Sequence, residues 1–126
     1  MNYQAMKDKL YKGHKKIANN TYLKLEYKPS FNPNPNPNIQ GEESIVMYLH
    51  GHNVATFTPQ HLELRSCGWQ TVTTKDRLNL ALSMVKIHGC IYQQAWTWYY
   101  ARGYKFDKVC PFREGMKISY EGEPVQ

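Results

Sequence analysis

Between Pro29 and Asn38 the chain reads Pro-Ser-Phe-Asn-Pro-Asn-Pro-Asn-Pro-Asn, and no regular element can run through it. Each proline lacks an amide hydrogen and pushes the residue before it out of the helical region, so the three Asn-Pro steps exclude both a helix and a central strand. Residues 29 to 41 are therefore read as an exposed loop. A polyproline-type recognition segment would need a P-x-x-P pattern with a basic anchor, which the run lacks. At 126 residues the whole chain has the usual size of one domain. It divides into a basic N-terminal segment over residues 1–20, the Asn-Pro loop and a body.

The flanking segments alternate in ways that predict an α+β fold. Tyr3, Met6 and Leu10 fall at helical spacing, which predicts a short amphipathic helix over Asn2–Lys12 stopped by Gly13. Thr21 to Tyr27 alternates large and charged residues and reads as a strand, and Ser44 to His50 reads as a buried one. Gly51-His52-Asn53 supplies a turn into a strand over Val54–Thr58, and Pro59-Gln60-His61 turns again into Leu62–Ser66. Such short connections imply an antiparallel meander. Thr73-Thr74-Lys75-Asp76 resembles a capping box and predicts a helix over Thr74–His88, with Leu78, Ala81, Leu82 and Val85 as its apolar stripe and Gly89 as its stop. Cys90 to Tyr100 is continuously strand-prone, followed by a turn at Ala101-Arg102-Gly103 and a partner strand over Tyr104–Phe106. Phe112 to Ile118 adds a turn and a short strand, and the tail from Glu121 reads as loose. The expected architecture is a mainly antiparallel sheet, meander plus aromatic hairpin, with one inserted helix and a short N-terminal helix.

Charge is concentrated at one end. Lys7, Lys9, Lys12, Lys15, Lys16, Lys24 and Lys28 face only Asp8 and Glu26, so five of the six net positive charges lie in the first 28 residues. A basic arm beside a near-neutral body is the distribution expected of a segment that meets phosphate, although solvated lysines that only keep a protein soluble have the same pattern. Lys lacks the forked geometry that reads guanine, so such contacts would position nucleic acid without reading its sequence. No apolar run reaches the length of a membrane span and no secretory signal is evident, so the chain is read as cytoplasmic, with no membrane partner.

Groups able to do chemistry are sparse. Cys67, Cys90 and Cys110 are too widely spaced for a zinc site or a disulfide framework and read as free thiols in a reducing compartment. His50-Gly51-His52 offers two imidazoles but no third ligand, so no metal and no cofactor is expected. There is no nucleophile elbow, phosphate-binding Gly-rich loop or H-E-x-x-H motif, and enzyme activity is unsupported. The aromatic segment is the most distinctive feature: in a continuous strand, Trp96, Trp98 and Tyr100 share one face, which could stack bases with Arg102 nearby for phosphate, or fill the core beneath the helix. A second candidate is the start of the inserted helix, where Thr73, Thr74, Lys75 and Arg77 lie near Trp69 and could receive an anion, although capping explains the threonines equally well.

Three stretches, Lys15-Lys16-Ile17-Ala18-Asn19-Asn20-Thr21-Tyr22-Leu23, Leu49-His50-Gly51 with Val54-Ala55-Thr56-Phe57-Thr58-Pro59, and Gly68 to Asn79, resemble a family of small proteins encoded by tailed bacteriophages, over residues 12 to 118. The resemblance implies a viral accessory protein acting in a bacterial cytoplasm and assigns no functional residue. The Asn-Pro insertion departs from the family pattern, which has a tighter turn there. The leading expectation is a non-enzymatic phage accessory protein that binds nucleic acid through Lys12, Lys15, Lys16 and the rest of the basic segment, with Trp96, Trp98 and Tyr100 stacking. The alternative is a counter-defence protein that sequesters a small nucleotide signal, or a host bacterial protein, near His50, Trp69 and the helix start. A small phosphoesterase or nuclease using His50, His52 or His61 is the third. Homo-oligomerisation is left open.

Overall fold

The computed structural model describes residues 3–10, 13–28 and 42–125. Their elements, in order, are α1 (Tyr3–Asp8), β1 (His14–Ala18), β2 (Thr21–Lys28), β3 (Glu42–Leu49), β4 (His52–Phe57), β5 (His61–Leu64), α2 (Val72–Met84), β6 (Gly89–Gln94), β7 (Thr97–Arg102), β8 (Lys108–Pro111), β9 (Met116–Ser119) and β10 (Pro124–Val125). The described strands form two sheets, one ordered β1-β2-β3-β4-β5-β9-β10 and one ordered β6-β7-β8, and the fold is α+β. Every strand pair is antiparallel. Lys12 and the Asn-Pro loop lie outside the described residues.

Strand alternation places the core. Leu23 pairs with Met47, Ile45 with Phe57, Phe57 with Leu62 and Leu62 with Ile118, so these buried side chains share one face of the large sheet. That face is covered by the α2 stripe of Leu78, Ala81, Leu82 and Val85, as its spacing predicts, and by Ile91, Trp98 and Tyr100 from the second sheet.

The first helix is shorter than its spacing predicts. It ends at Asp8, because Gly13 takes a left-handed φ of 75° and its carbonyl accepts from Leu25 N at 2.8 Å, committing the next residues to pair with β2. Lys15 and Lys16 are consequently strand residues at a sheet edge. The β3–β4 turn is His50-Gly51, both left-handed at φ 51° and 80°, and His52 and Asn53 already belong to β4. α2 begins two residues before the expected start: Thr71 is its N-cap, and its side chain accepts from Thr74 N at 3.2 Å. The helix ends at Met84 with Lys86 left-handed at φ 56°. Ile87 N bonds back to Leu82 O at 3.0 Å, so the helix stops four residues before the predicted end and Gly89 is a strand residue.

The aromatic segment differs most. It breaks at Ala95-Trp96, both left-handed at φ 50° and 68°, into the separate strands β6 and β7. Trp96 therefore stands on the turn at 89% exposure, while Trp98 and Tyr100 point inward and are buried. Gly103 to Asp107 is a loop, so Tyr104–Phe106 is no strand and the third strand is β8. The tail is tied down: Tyr100 Oη donates to Gly122 O at 2.8 Å, and β10 pairs with β9. Gly89 accommodates this arrangement, since a Cβ there would stand 2.7 Å from the Tyr100 ring.

β6 has a free edge toward α2, and Asn79 closes it. Its Oδ1 accepts from Ile91 N at 2.7 Å and its Nδ2 donates to Ile91 O at 3.0 Å, as a neighbouring strand would. Asn79→Ala removes both bonds and leaves two backbone groups at a buried residue without partners. It should lower stability by about 2–3 kcal/mol and Tm by roughly 6–15 °C, read by chemical and thermal denaturation; a loss within about 0.5 kcal/mol would show that the clasp carries no weight.

Burial pushes the Tyr100 hydroxyl up to about 12, with Arg102 pulling weakly the other way. An unfolded tyrosine ionises near 10, so the folded state favours the neutral phenol. The stability this supplies is complete below about pH 10 and is lost as pH rises through about 12. Tyr100→Phe should flatten the fall in unfolding free energy across that window by about one proton's worth, measured by urea titrations at a series of alkaline pH values; an unchanged slope would contradict the assignment.

Candidate functional site

The alternation that sends Leu23 inward sends Tyr22, Lys24 and Glu26 to the opposite face of the large sheet, where their partners Ser44 and Val46 are buried and Tyr48 is half-buried. Register then assembles a cross-strand row. Lys16 of β1 pairs with Tyr22 of β2, which pairs with Tyr48 of β3, and in the next row His14 pairs with Lys24. The Tyr22 and Tyr48 rings stack with centroids 5.4 Å apart and 25° between planes, and the His14 ring lies 5.0 Å from Tyr22 at 32°. Three rings from three strands thus run across this face, with the exposed Lys16 and Lys24 beside them. Tyr48 donates to Glu26, and burial together with this bond pushes its hydroxyl up to about 12, so it remains a neutral phenol at physiological pH. Lys15 is exposed but pairs with Leu23, on the other side of the sheet from Lys16.

A second concavity of about 450 Å3 opens between the β3–β4 turn and the start of α2. Leu49 and Val54 form apolar walls, His50 and His52 come from the turn, and Ser66, Cys67, Trp69, Thr71, Thr73 and Thr74 come from the β5–α2 connection and first helical turn. No Lys, Arg, Asp or Glu is among these residues. The connection is anchored from the other end of the chain. The Glu114 carboxylate accepts from Ser66 N at 2.9 Å, from Cys67 N at 3.1 Å and from the Ser66 hydroxyl. Cys67 and Gly68 then take left-handed φ values of 56° and 79°, and Trp69 is left 62% exposed with its ring 6.0 Å from that of His52. Burial, with a further contribution from Glu114, pushes the Cys67 thiol up, and its Sγ donates to Asn53 O at 3.0 Å. It is held as a thiol and is a poor nucleophile.

His50, Trp69, Thr73 and Thr74 of the sequence-predicted residues meet in this cleft. Lys75 sits in the first turn of α2 but does not line it, and Arg77 is turned to the sheet, its Nε donating to Thr21 Oγ1 at 2.8 Å. Trp98 and Tyr100 belong to the core, Trp96 to an isolated turn, and Arg102 Nε lies 3.0 Å from Glu123 Oε2, a close ion pair without hydrogen-bond alignment. The stacking face expected of Trp96, Trp98 and Tyr100 therefore does not form. His50 and His52 share the cleft, but the other histidines do not join them. His61 opens β5 at the end of the sheet away from the β3–β4 turn, and His88 stacks on Phe106 at 4.6 Å. Among the described residues no group of three or more His, Cys, Asp or Glu could hold a metal ion, and no helix is long and apolar enough to cross a membrane.

Sequence reasoning missed His14, Tyr22, Lys24 and Tyr48. Part of the signal was present: in the strand read over Thr21–Tyr27, Tyr22 falls on the side opposite Leu23 and Leu25, whereas Tyr48 shares its side of Ser44–His50 with the aliphatic Val46. Register, which joins them across strands, was out of reach.

No curated protein and no solved structure matches the chain. A family model described as Kyanoviridae Gp96 protein does, over residues 4–119, from within α1 to the last residue of β9. The chain belongs to the Kyanoviridae Gp96 family, a family of phage proteins.

Proposed function

We propose that this phage protein is an accessory factor that binds single-stranded nucleic acid across the Tyr22 and Tyr48 face of β1, β2 and β3. The observation that carries the reading is the row of His14, Tyr22 and Tyr48 rings flanked by Lys16 and Lys24. Each aromatic face offers a platform on which an unpaired base can stack, worth about 1–3 kcal/mol per base. The lysines neutralise phosphates and release their counterions. Bases in a duplex are already stacked and cannot lie on a sheet, which favours a single strand. With ammonium groups and no guanidinium fork on the face, binding is expected to tolerate many sequences. This keeps the partner expected of the basic segment and moves its aromatic component from the β6–β7 hairpin to β2 and β3.

The counter-defence alternative draws on the cleft. Capture of a charged nucleotide signal there is disfavoured by the absence of Lys and Arg among its lining residues.

Fluorescence polarisation with labelled oligo-dT or oligo-U of increasing length tests the proposal. Affinity should rise with length, and two or three phosphate contacts imply a loss of roughly 5- to 20-fold between 50 and 200 mM salt. Tyr22→Leu should weaken binding by about 5- to 100-fold. Joint Lys16→Ala and Lys24→Ala should lower the slope of log affinity against log salt by about 1.4, with circular dichroism confirming that each variant is folded. Binding that ignores salt, or that survives Tyr22→Leu unchanged, would overturn the reading.

A further inference from the structure

We infer that the cleft between the β3–β4 turn and the N-terminus of α2 is a binding site for an uncharged planar heteroaromatic ring of the nucleobase or nucleoside class, held against Trp69. Its volume of about 450 Å3 falls within the range of small-molecule sites, about 300–1,000 Å3. Its floor is apolar, formed by Leu49 and Val54, and an indole that is 62% exposed stands at its mouth with the His52 imidazole tilted beside it. Large aromatic surface left open to water beside an apolar hollow gains most from a flat partner that covers both. Polar groups are few but converge. Two imidazoles, each with one donor and one acceptor when neutral, and the Thr73 hydroxyl can meet the edge of a heterocycle.

Three further features narrow the chemistry. The described lining holds no Lys, Arg, Asp or Glu, so neither a polyphosphate nor a free carboxylate would find a permanent counter-ion there. Of the two cations at the start of α2, Arg77 donates from Nε to Thr21 at 2.8 Å, and Lys75 does not line the cleft. The wall that carries Trp69 is built before any ligand arrives. Glu114, 45 residues beyond Trp69 in the chain, holds Ser66 and Cys67 through their backbone amides, and the left-handed Cys67 and Gly68 set the direction in which the chain leaves toward Trp69. A left-handed φ at a non-glycine residue is unfavourable by itself, and here the Glu114 anchor maintains it. A preorganised wall loses little freedom on binding, which favours a rigid, flat ligand.

The site goes beyond the nucleic-acid reading and shares no residue with it. Leu49 and His52 face the α2 side of the sheet, whereas Tyr22 and Tyr48 face the other. The two can therefore fail separately. The experiment is a tryptophan-fluorescence titration of the full chain with adenosine, inosine, cytidine and uridine, with adenosine 5′-monophosphate for comparison. At least one nucleoside is expected to quench saturably. That response should weaken at least tenfold in Trp69→Ala, persist in Trp96→Ala, and be retained in part in Trp69→Phe, with calorimetry supplying a readout independent of the indole. Oligonucleotide binding on the β1–β3 face should be unchanged in Trp69→Ala. Saturation by none of the nucleosides, loss of the response in Trp96→Ala but not in Trp69→Ala, or a monophosphate binding more than tenfold tighter than its nucleoside would each overturn the inference, the last by showing an anion site at the helix end.

Discussion

The pairing of β2 with β3 governs both candidate sites. Its register runs from Thr21 against Leu49 to Lys28 against Glu42, the longest ladder among the described strands. Because side chains alternate, one ladder decides at once that Leu23 and Met47 enter the core and that Tyr22 and Tyr48 meet outside it. A slip of one residue would exchange the two sets and expose the core face. Several contacts pin the register at the end where it matters: Thr21 is buried and receives the Arg77 guanidinium, and His50 N donates to Asn20 O at 2.8 Å. A bulge between β3 and β4 at Met47/Tyr48 leaves Val54 as the additional residue. It lets Leu49 close on His52 across a two-residue turn, and Val54, Leu49 and His52 then contribute to the cleft.

Two open sheets have four edges, and the chain treats each in its own way. β1 carries Lys15 and Lys16, and charged side chains discourage another strand from pairing there. The Asn79 carboxamide occupies the edge of β6. β8 is four residues long and ends in Pro111, and β10 is two residues long and begins with Pro124. The same lysine can thus serve two ends, since Lys16 guards an edge and stands beside the stacked rings.

Local signals made much of the fold legible. The alternation in Thr21–Tyr27 and the 78, 81, 82, 85 stripe of α2 place the sheet face and the helix correctly, because each has one wet side and one dry side, and the continuous apolar run in Ser44–His50 marks a strand buried on both sides over residues 44–47. What stayed hidden lacked a local signature. Ala95-Trp96 adopts a turn usually made by Asn and Gly, so nothing in Cys90–Tyr100 marks the break, and reading it as one strand put Trp96 on the wrong side. Thr71 and Thr73 are equivalent as caps until burial of Thr74 selects the frame. The tail looked loose because β10 is only two residues long and begins with proline, and because Tyr100, which holds Gly122, lies 22 residues away in sequence. The cleft was legible in outline, through His50, Trp69, Thr73 and Thr74, but Glu114, which shapes it, lies 48 residues from Ser66 and could be found only in three dimensions.

The dependence of early segments on late ones also sets the order in which the molecule can be completed during its synthesis. The β2–β5 meander is made of neighbours in sequence and can assemble as it leaves the ribosome. Its outer strand, β5, is paired along its β4 edge but lacks the partner on its other edge until residues 116–119 appear, the Trp69 wall waits for Glu114, and the Tyr100 hydroxyl waits for Gly122. A chain stalled before these residues would present β5 as a bare sheet edge beside a half-built core, a form open to strand addition by its neighbours on a crowded polysome. The half-built sheet is exposed to such addition for that interval of synthesis, between the emergence of β5 and the arrival of β9.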